Sequence, residues 1–430
     1  VGALPGIIFL IVGLLVSVGI HELGHLIPAK RFGVKVSQYF IGFGPTLWST
    51  MRGGTEYGLK AIPLGGYVQM AGMLAPAKPG TRTYKNGQLT LAEEARRASA
   101  EDLSPGEEDR AFWRLPARQK LVVMFAGPVT NLILAGLLIG LVVSGFGLPA
   151  LTNQVGAITP CVGQAQQCST EHPPSPAADS ALEVGDTVVA WGHTSTSNWE
   201  ELSAAIANGG TGPVTVRIER EGEPIDVVVH PVLVERPVVE NGQVVVDDAG
   251  EPHTHTVPYA GISPTSQRER QSVWQVPGYV WDFTIATGKV LVSLPMNLWN
   301  TAADLVTGAE RDPTGVVGIV GVADIAGNIS SSQGEGYGAV DRLGDLTLLL
   351  AGLNMSLFMF NMLPLLPLDG GHILGALIEG TRRKIAKVQG KPDPGPFDTA
   401  RLLPLSYVVL AALIAMTVLL VVADILNPVV

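Results

Sequence analysis

Four apolar stretches dominate the pattern of hydrophobic and polar positions along this chain. They run from Leu4 to Ile20, Leu121 to about Val143, Leu346 to Leu366 and Leu405 to Leu426. Each approaches the roughly 20 residues that a helix needs to cross the hydrocarbon core of a bilayer. The first has no basic leader and no small-x-small cleavage site, and histidines follow it. It is therefore expected to be a retained span and not a signal peptide.

Between the spans the period changes. From Tyr39 to Met73, aromatic and β-branched residues alternate with glycine-rich breaks, and Arg52-Gly53-Gly54 has the composition of a hairpin turn. Such a hairpin is tolerated at membrane depth only where protein shields it. Ala75 to Asp109 is charged and punctuated by Pro and Gly, as in a surface excursion. Ser180 to Val232 reads as strand, helix and two alternating strands around Glu221-Gly222-Glu223, with Asn198 as a helix cap. A further hairpin is expected in 243–262. Ser272 to Gly308 carries Trp274, Trp281 and Trp299 at helical spacing with few charges, which suits a helix at a membrane surface or one packed on the neighbouring domain.

Charge orients this scheme. Lys30, Arg31 and Lys35 follow the first span, Arg110, Arg114, Arg118 and Lys120 precede the second, and Arg382, Arg383, Lys384, Lys387 and Lys391 separate the third from the fourth. The flanks of the long middle segment are poorer in Lys and Arg. By the positive-inside rule, both termini and the middle segment lie outside the cytoplasm. Composition agrees with a membrane protein carrying a water-exposed part: of 430 residues, 47% are hydrophobic and only 15% charged, against about a quarter charged in soluble chains. A net charge of −10 without a dense Lys/Arg run excludes a nucleic-acid partner. Cys161 and Cys168 are too few for a disulfide scaffold; outside the cytoplasm they form either one small-loop disulfide or two free thiols.

Candidate chemistry sits at the end of the first span, "HELGH". His21 and His25, four apart on a helix, present both imidazoles to one metal ion, and Glu22 projects beside them where a general base is wanted. The alternative is a pair of core histidines bonded to backbone, but ionisable groups inside a span are functional by default. A catalytic zinc takes three protein ligands and keeps a fourth position open. The third span ends in "NMLPLLPLDGGHI", where prolines break the helix and Asp369 follows at once. Asp369 reaches the same side as the histidine pair, which makes it the expected third ligand. His372 is given a supporting role, since a closed site would leave no open position. His253 and His255 are a weak metal signal in a solvated loop.

HELGH in the first span, "NMLPLLPLDGG" in the third, "YFIGFGPTLWS", "IPLGGYVQMAGM", "FAGPVTNLILA" and "GVVGIVG" together resemble the bacterial site-2 proteases, and most closely the regulator-of-sigma-E protease group of actinobacterial type. The resemblance covers most of the chain. It implies an α-helical membrane protein of four transmembrane helices, with a membrane-associated cytoplasmic β-hairpin and an extracytoplasmic PDZ-like α+β domain. It implies zinc (Zn2+) on His21, His25 and Asp369, with Glu22 as catalytic base. Asn361, Pro364 and Asn131 match family positions expected beside substrate; for the asparagines, helix-to-helix hydrogen bonding is an equal alternative. The implied substrates are single-pass membrane proteins, such as an anti-sigma factor or a signal-peptide remnant, cut within the bilayer of the cell membrane. The PDZ-like domain would bar uncut ectodomains.

The expected organisation is then 1–30, first span with HExxH; 31–117, cytoplasmic loop with the hairpin at about 39–73; 118–145, second span; 146–270, PDZ-like domain with its core at about 177–235; 271–340, interfacial helix and linker; 341–375, third span; 376–402, basic loop; 403–427, fourth span. Two competing readings are a non-catalytic PDZ binding module and an ion transporter. An intact Glu22 beside an intact ligand set speaks against the first, and the lack of an inverted repeat against the second.

Overall fold

The four apolar stretches become four helices long and apolar enough to span a membrane. The structure, a computed structural model, describes residues 2–164, 168–169, 172–237, 239–240, 243–244, 253–309, 311–312, 315–333 and 337–428. The chain divides into two units: Val1–Phe146 with Gln271–Val430, and Gly147–Arg270.

In the first unit, α1 (Leu4–Arg31) extends well past the apolar stretch, carrying HELGH as its continuation. A sheet follows, and it is more elaborate than the expected hairpin. Val36–Arg52 and Thr55–Met70 turn at Gly53 and Gly54, whose φ values of 57° and 74° favour residues without a Cβ. Both strands then break at bulges near Phe43 and Ile62. Residues 46–52 pair with 55–60, 55–60 also pair with 38–41, and 38–41 pair again with 66–70. The result is four short antiparallel segments in the order 46–52, 55–60, 38–41, 66–70, with 66–70 at one edge. The Tyr39 hydroxyl fastens the sheet to α1 by donating to the Gly19 carbonyl at 2.8 Å. Burial, with the Glu22 carboxylate nearby, pushes this hydroxyl up to about 12, so it remains a donor.

The charged excursion contains α2 (Leu91–Ala100) and ties the sheet to the segment around Asp398. Asp102 accepts from Ser37 Oγ and Gln69 Nε2, both at 2.6 Å, and Glu107 pairs with Lys35. The Lys35 ammonium holds the Glu107 carboxyl down to about 2. Arg96 makes a buried bidentate pair with Asp398, at 2.8 and 2.9 Å.

Next comes α3 (Ala117–Gly140), prolonged by a π-helical turn through Phe146. After the second unit and its α4, introduced below, α5 (Val276–Thr307) is a single long helix. It packs against candidate spans: Val276 and Val280 lie over Gly140 and Gly136, and Phe283 over Gly352. Its other side exposes Trp281, Val292 and Trp299. A short apolar helix, α6 (Ile319–Ser331), falls in the stretch expected as linker and seats Ala326 against Gly6 of α1. The third span is α7 (Ala339–Asn361). The expected basic loop at 376–402 is in part a correction: α8 (Asp369–Val388) runs through it, because Leu374, Leu377, Ile378 and Ile385 recur at helical spacing and no proline intervenes before Pro392. The fourth span closes the unit as α9 (Leu403–Leu426). Asp424, near its end, accepts from Arg311 and from the Gly318 and Gly321 amides.

The second unit is an antiparallel sheet in the order 262–269, 148–158, 187–191, 214–220, 223–229, with Thr194–Ser195 added beside 187–191. Its helix, α4 (Trp199–Asn208), begins where expected, the Asn198 side chain accepting from Glu201 N at 2.9 Å. Val188, Trp191, Leu202, Val216 and Ile218 form its core. The hairpin expected within 243–262 takes a different partner: Thr254–Tyr259 pairs back to Val232–Pro237, and 245–252 fall outside the described residues. Cys161 and Cys168 form a disulfide. His253 and His255 are exposed and belong to no metal-holding cluster among the described residues.

Candidate metal centre

The helical spacing of His21 and His25 sets both rings on the side of α1 that faces α3. The two helices come very close there. A Cβ at Gly24 would lie 2.7 Å from the Ala126 carbonyl oxygen, and one at Gly127 only 2.1 Å from His25 Nε2. Gly127 therefore leaves the nitrogen's face clear. His25 Nδ1 donates to the Val123 carbonyl at 2.8 Å, which orients the ring and leaves Nε2 with a bare lone pair.

Asp369 arrives from the other side of the cleft. Helix α7 ends at Asn361, a proline-rich turn follows, and Asp369 opens α8, where a helix N-terminus favours a carboxylate. His21 Nε2 and His25 Nε2 are 3.3 Å apart, and each is 3.3 Å from Asp369 Oδ2. That oxygen is buried and makes no hydrogen bond among the described residues. Three donor atoms at one mutual spacing fit a tetrahedral zinc: ligands about 2.0–2.1 Å from the ion stand about 3.3–3.4 Å apart. Two imidazoles and a carboxylate are also the donor set of a catalytic site, which needs a remaining position open.

The triangle borders a cavity of about 420 Å³. Glu22 lines it beside the histidines, and the edge segment Gly65–Val68 forms the facing wall, its Val68 backbone approaching the Glu22 carboxylate. Asn361 and His372 line it too. His372 stands outside the three-donor cluster. Pro364, expected beside substrate, is exposed and does not line this cavity. Pro367 takes that place, because the chain leaves the α7 axis after Asn361. Asn131, fully buried on α3, lines the cavity and also meets His21: its side-chain nitrogen is 3.3 Å from His21 Nδ1. That contact went unseen in the sequence, since nothing in the motif spacing relates α3 to α1 in register. The Tyr39 clamp and the Arg96–Asp398 pair were likewise illegible, being contacts between distant segments.

Two histidines and a glutamate on a membrane-length helix, meeting Asp369 at one point, have the donor chemistry of a metallopeptidase centre. Comparison with known proteins agrees. Residues 9–392 match peptidase family M50, and the chain belongs to that family, the site-2 proteases. It is similar to "Zinc metalloprotease Rip1" of Mycobacterium tuberculosis, at 34% identity over 99% of this chain and 98% of the relative. The Rip1 of Mycolicibacterium smegmatis is 31% identical over 98% of both. "Metalloprotease MmpA" of Caulobacter vibrioides is 27% identical over 89% of each. By family membership the chain is a multi-pass membrane protein and a zinc metalloprotease with intramembrane activity.

Proposed function

We propose that this protease cuts the transmembrane segment of single-pass membrane proteins, with zinc held by His21, His25 and Asp369 and with Glu22 as general base. The observation that carries the reading is the 3.3 Å triangle of donor atoms beside the Glu22 carboxylate, on the wall of one cavity. When bound, zinc polarises the scissile carbonyl and makes water acidic enough to attack near neutral pH. Glu22 takes the proton from that water and delivers it to the leaving amine. Asn361, on the cavity wall, donates to the substrate backbone.

A helical substrate hides its peptide bonds, so cleavage demands local unwinding. The edge segment 66–70 supports a way to hold the unwound strand: paired with 38–41 on one side, it offers its other side for strand addition beside Glu22. Gly147–Arg270 is read as the PDZ-like domain, external with both termini, and as the filter that turns away substrates whose ectodomain is uncut. The Cys161–Cys168 disulfide supports the external placement, since such bonds persist in oxidising compartments. An anti-sigma factor or a signal-peptide remnant is the substrate class this arrangement serves.

The test is Glu22→Gln assayed against a co-expressed, tagged single-pass substrate. Cleavage is expected to fall by about 10²–10⁴-fold or more, with zinc retained. Persistent cleavage would remove Glu22 from the mechanism.

A further inference from the structure

One buried group at the centre has no role in the chemistry above: the carboxamide of Asn131. Its residue is 0% exposed, its nitrogen lies 3.3 Å from His21 Nδ1, and its oxygen is buried without a hydrogen-bond partner among the described residues. A half-turn of the carboxamide exchanges the positions of its nitrogen and oxygen, a donor and an acceptor. The two orientations have opposite consequences for His21. With the nitrogen turned to the ring, Asn131 donates, Nδ1 accepts, and the imidazole proton sits on Nε2, the atom facing Asp369 and His25. That tautomer cannot ligate through Nε2. With the amide rotated by half a turn, the oxygen accepts the Nδ1 proton, and Nε2 presents its lone pair to the ion.

His25 needs no such choice, because a backbone carbonyl can only accept and Val123 fixes its tautomer outright. His21 is the ligand whose outer nitrogen meets a group able to serve either state. We propose that Asn131 is a positioning residue for the metal centre: its amide oxygen accepts from His21 Nδ1 in the zinc-loaded protein, selecting the ligating tautomer, and its rotation accommodates the other tautomer when zinc is absent. The inference rests on zinc being held by His21, His25 and Asp369. It replaces the expectation of a substrate contact for Asn131 with a contact behind the ligand.

The experiment compares full-length wild type, Asn131→Leu and Asn131→Asp in detergent, reading zinc affinity by chelator competition. Leu fills similar space but offers no acceptor, and affinity is expected to fall by about 10–100-fold, as when partners of ligating histidines are removed. Asp can only accept and is expected to stay within about threefold of wild type. Equal affinity in wild type and Leu, or Asp as weak as Leu, would overturn the proposal, because packing alone would then account for Asn131. Nitrogen-15 histidine NMR of the zinc-loaded wild type decides even if a variant does not fold. His21 Nδ1–H is expected to exchange as slowly as the carbonyl-bonded His25 Nδ1–H, and rapid exchange at His21, as for a proton without an acceptor, would contradict it. Wild-type protein binding no zinc at this site would instead sink the ligand assignment itself.

Discussion

The two units of this chain treat buried charge in opposite ways. In Gly147–Arg270, the core of Val188, Leu202, Val216 and Ile218 is apolar, and the one buried carboxylate among the described residues, Asp186, reaches its partner Arg220 at the margin. In the membrane unit, charge is driven into places where solvent cannot help. Lys120 meets Glu379 at 2.7 Å, Arg96 meets Asp398, Arg311 meets Asp424, and His21, His25 and Asp369 converge without a counter-ion of their own. Each of the paired groups faces an opposite charge. The triad instead turns three lone-pair donors toward one point, and that contrast separates staples from a site. A buried ion pair explains itself; three convergent lone-pair donors call for a cation.

The contrast can be broken by experiment. The largest effect is expected at Gly127→Ala, where the new Cβ would stand 2.1 Å from His25 Nε2. Displacing that ring by about 1 Å should cost on the order of a hundredfold in cleavage, while circular dichroism stays helical. Undiminished cleavage would mean that the close approach of α1 and α3 is not part of the site. A smaller effect is expected at a staple. Arg96→Met leaves the buried Asp398 with only the more exposed Arg401, 3.1 Å away, and should destabilise the membrane unit by about 1–3 kcal/mol; adding Asp398→Leu should restore most of it. A single variant as stable as wild type would show that the excursion does not clamp the α8–α9 connection.

The smallest effect belongs to the second unit. Burial raises the carboxyl pKa of Asp186, but the Arg220 hydrogen bonds and the Glu183 amide outweigh it and hold the group below its ordinary value of 3.8. A depressed carboxyl stabilises the fold above that ordinary value, and the contribution is lost as pH falls through the folded pKa. The thermal midpoint assigned to this unit in the full chain should therefore drop by a few degrees more in wild type than in Arg220→Met between pH 5 and roughly pH 3. Parallel curves for the two proteins would remove Asp186 from the acid response.

Much of this was legible before any coordinates. Long apolar runs fix spans by length alone, and HExxH on one span with a broken helix and Asp369 after another points to a shared polar centre, because intramembrane ionisable groups need a reason. The cap at Asn198 and the turn at Gly53-Gly54 were also readable, being local chemistry. What escaped was non-local. The four-segment sheet depends on bulges near Phe43 and Ile62 that let one strand pair on both sides. Helix α8 was obscured by its basic residues, which read as a loop although Leu377 and Ile385 keep helical spacing. The setting of Pro367, rather than Pro364, on the cavity wall follows from how the chain turns after Asn361.

Metal content of the purified full-length chain tests the central claim most directly, with wild type beside Asp369→Ala and Glu22→Gln. About one zinc per chain is expected in wild type and in Glu22→Gln, and none in Asp369→Ala after dialysis, since two imidazoles alone leave the ion poorly held. Asp369→Ala protein that keeps its zinc would contradict the assignment of this carboxylate, and with it the meeting of α1 with the start of α8 on which the proposed mechanism stands.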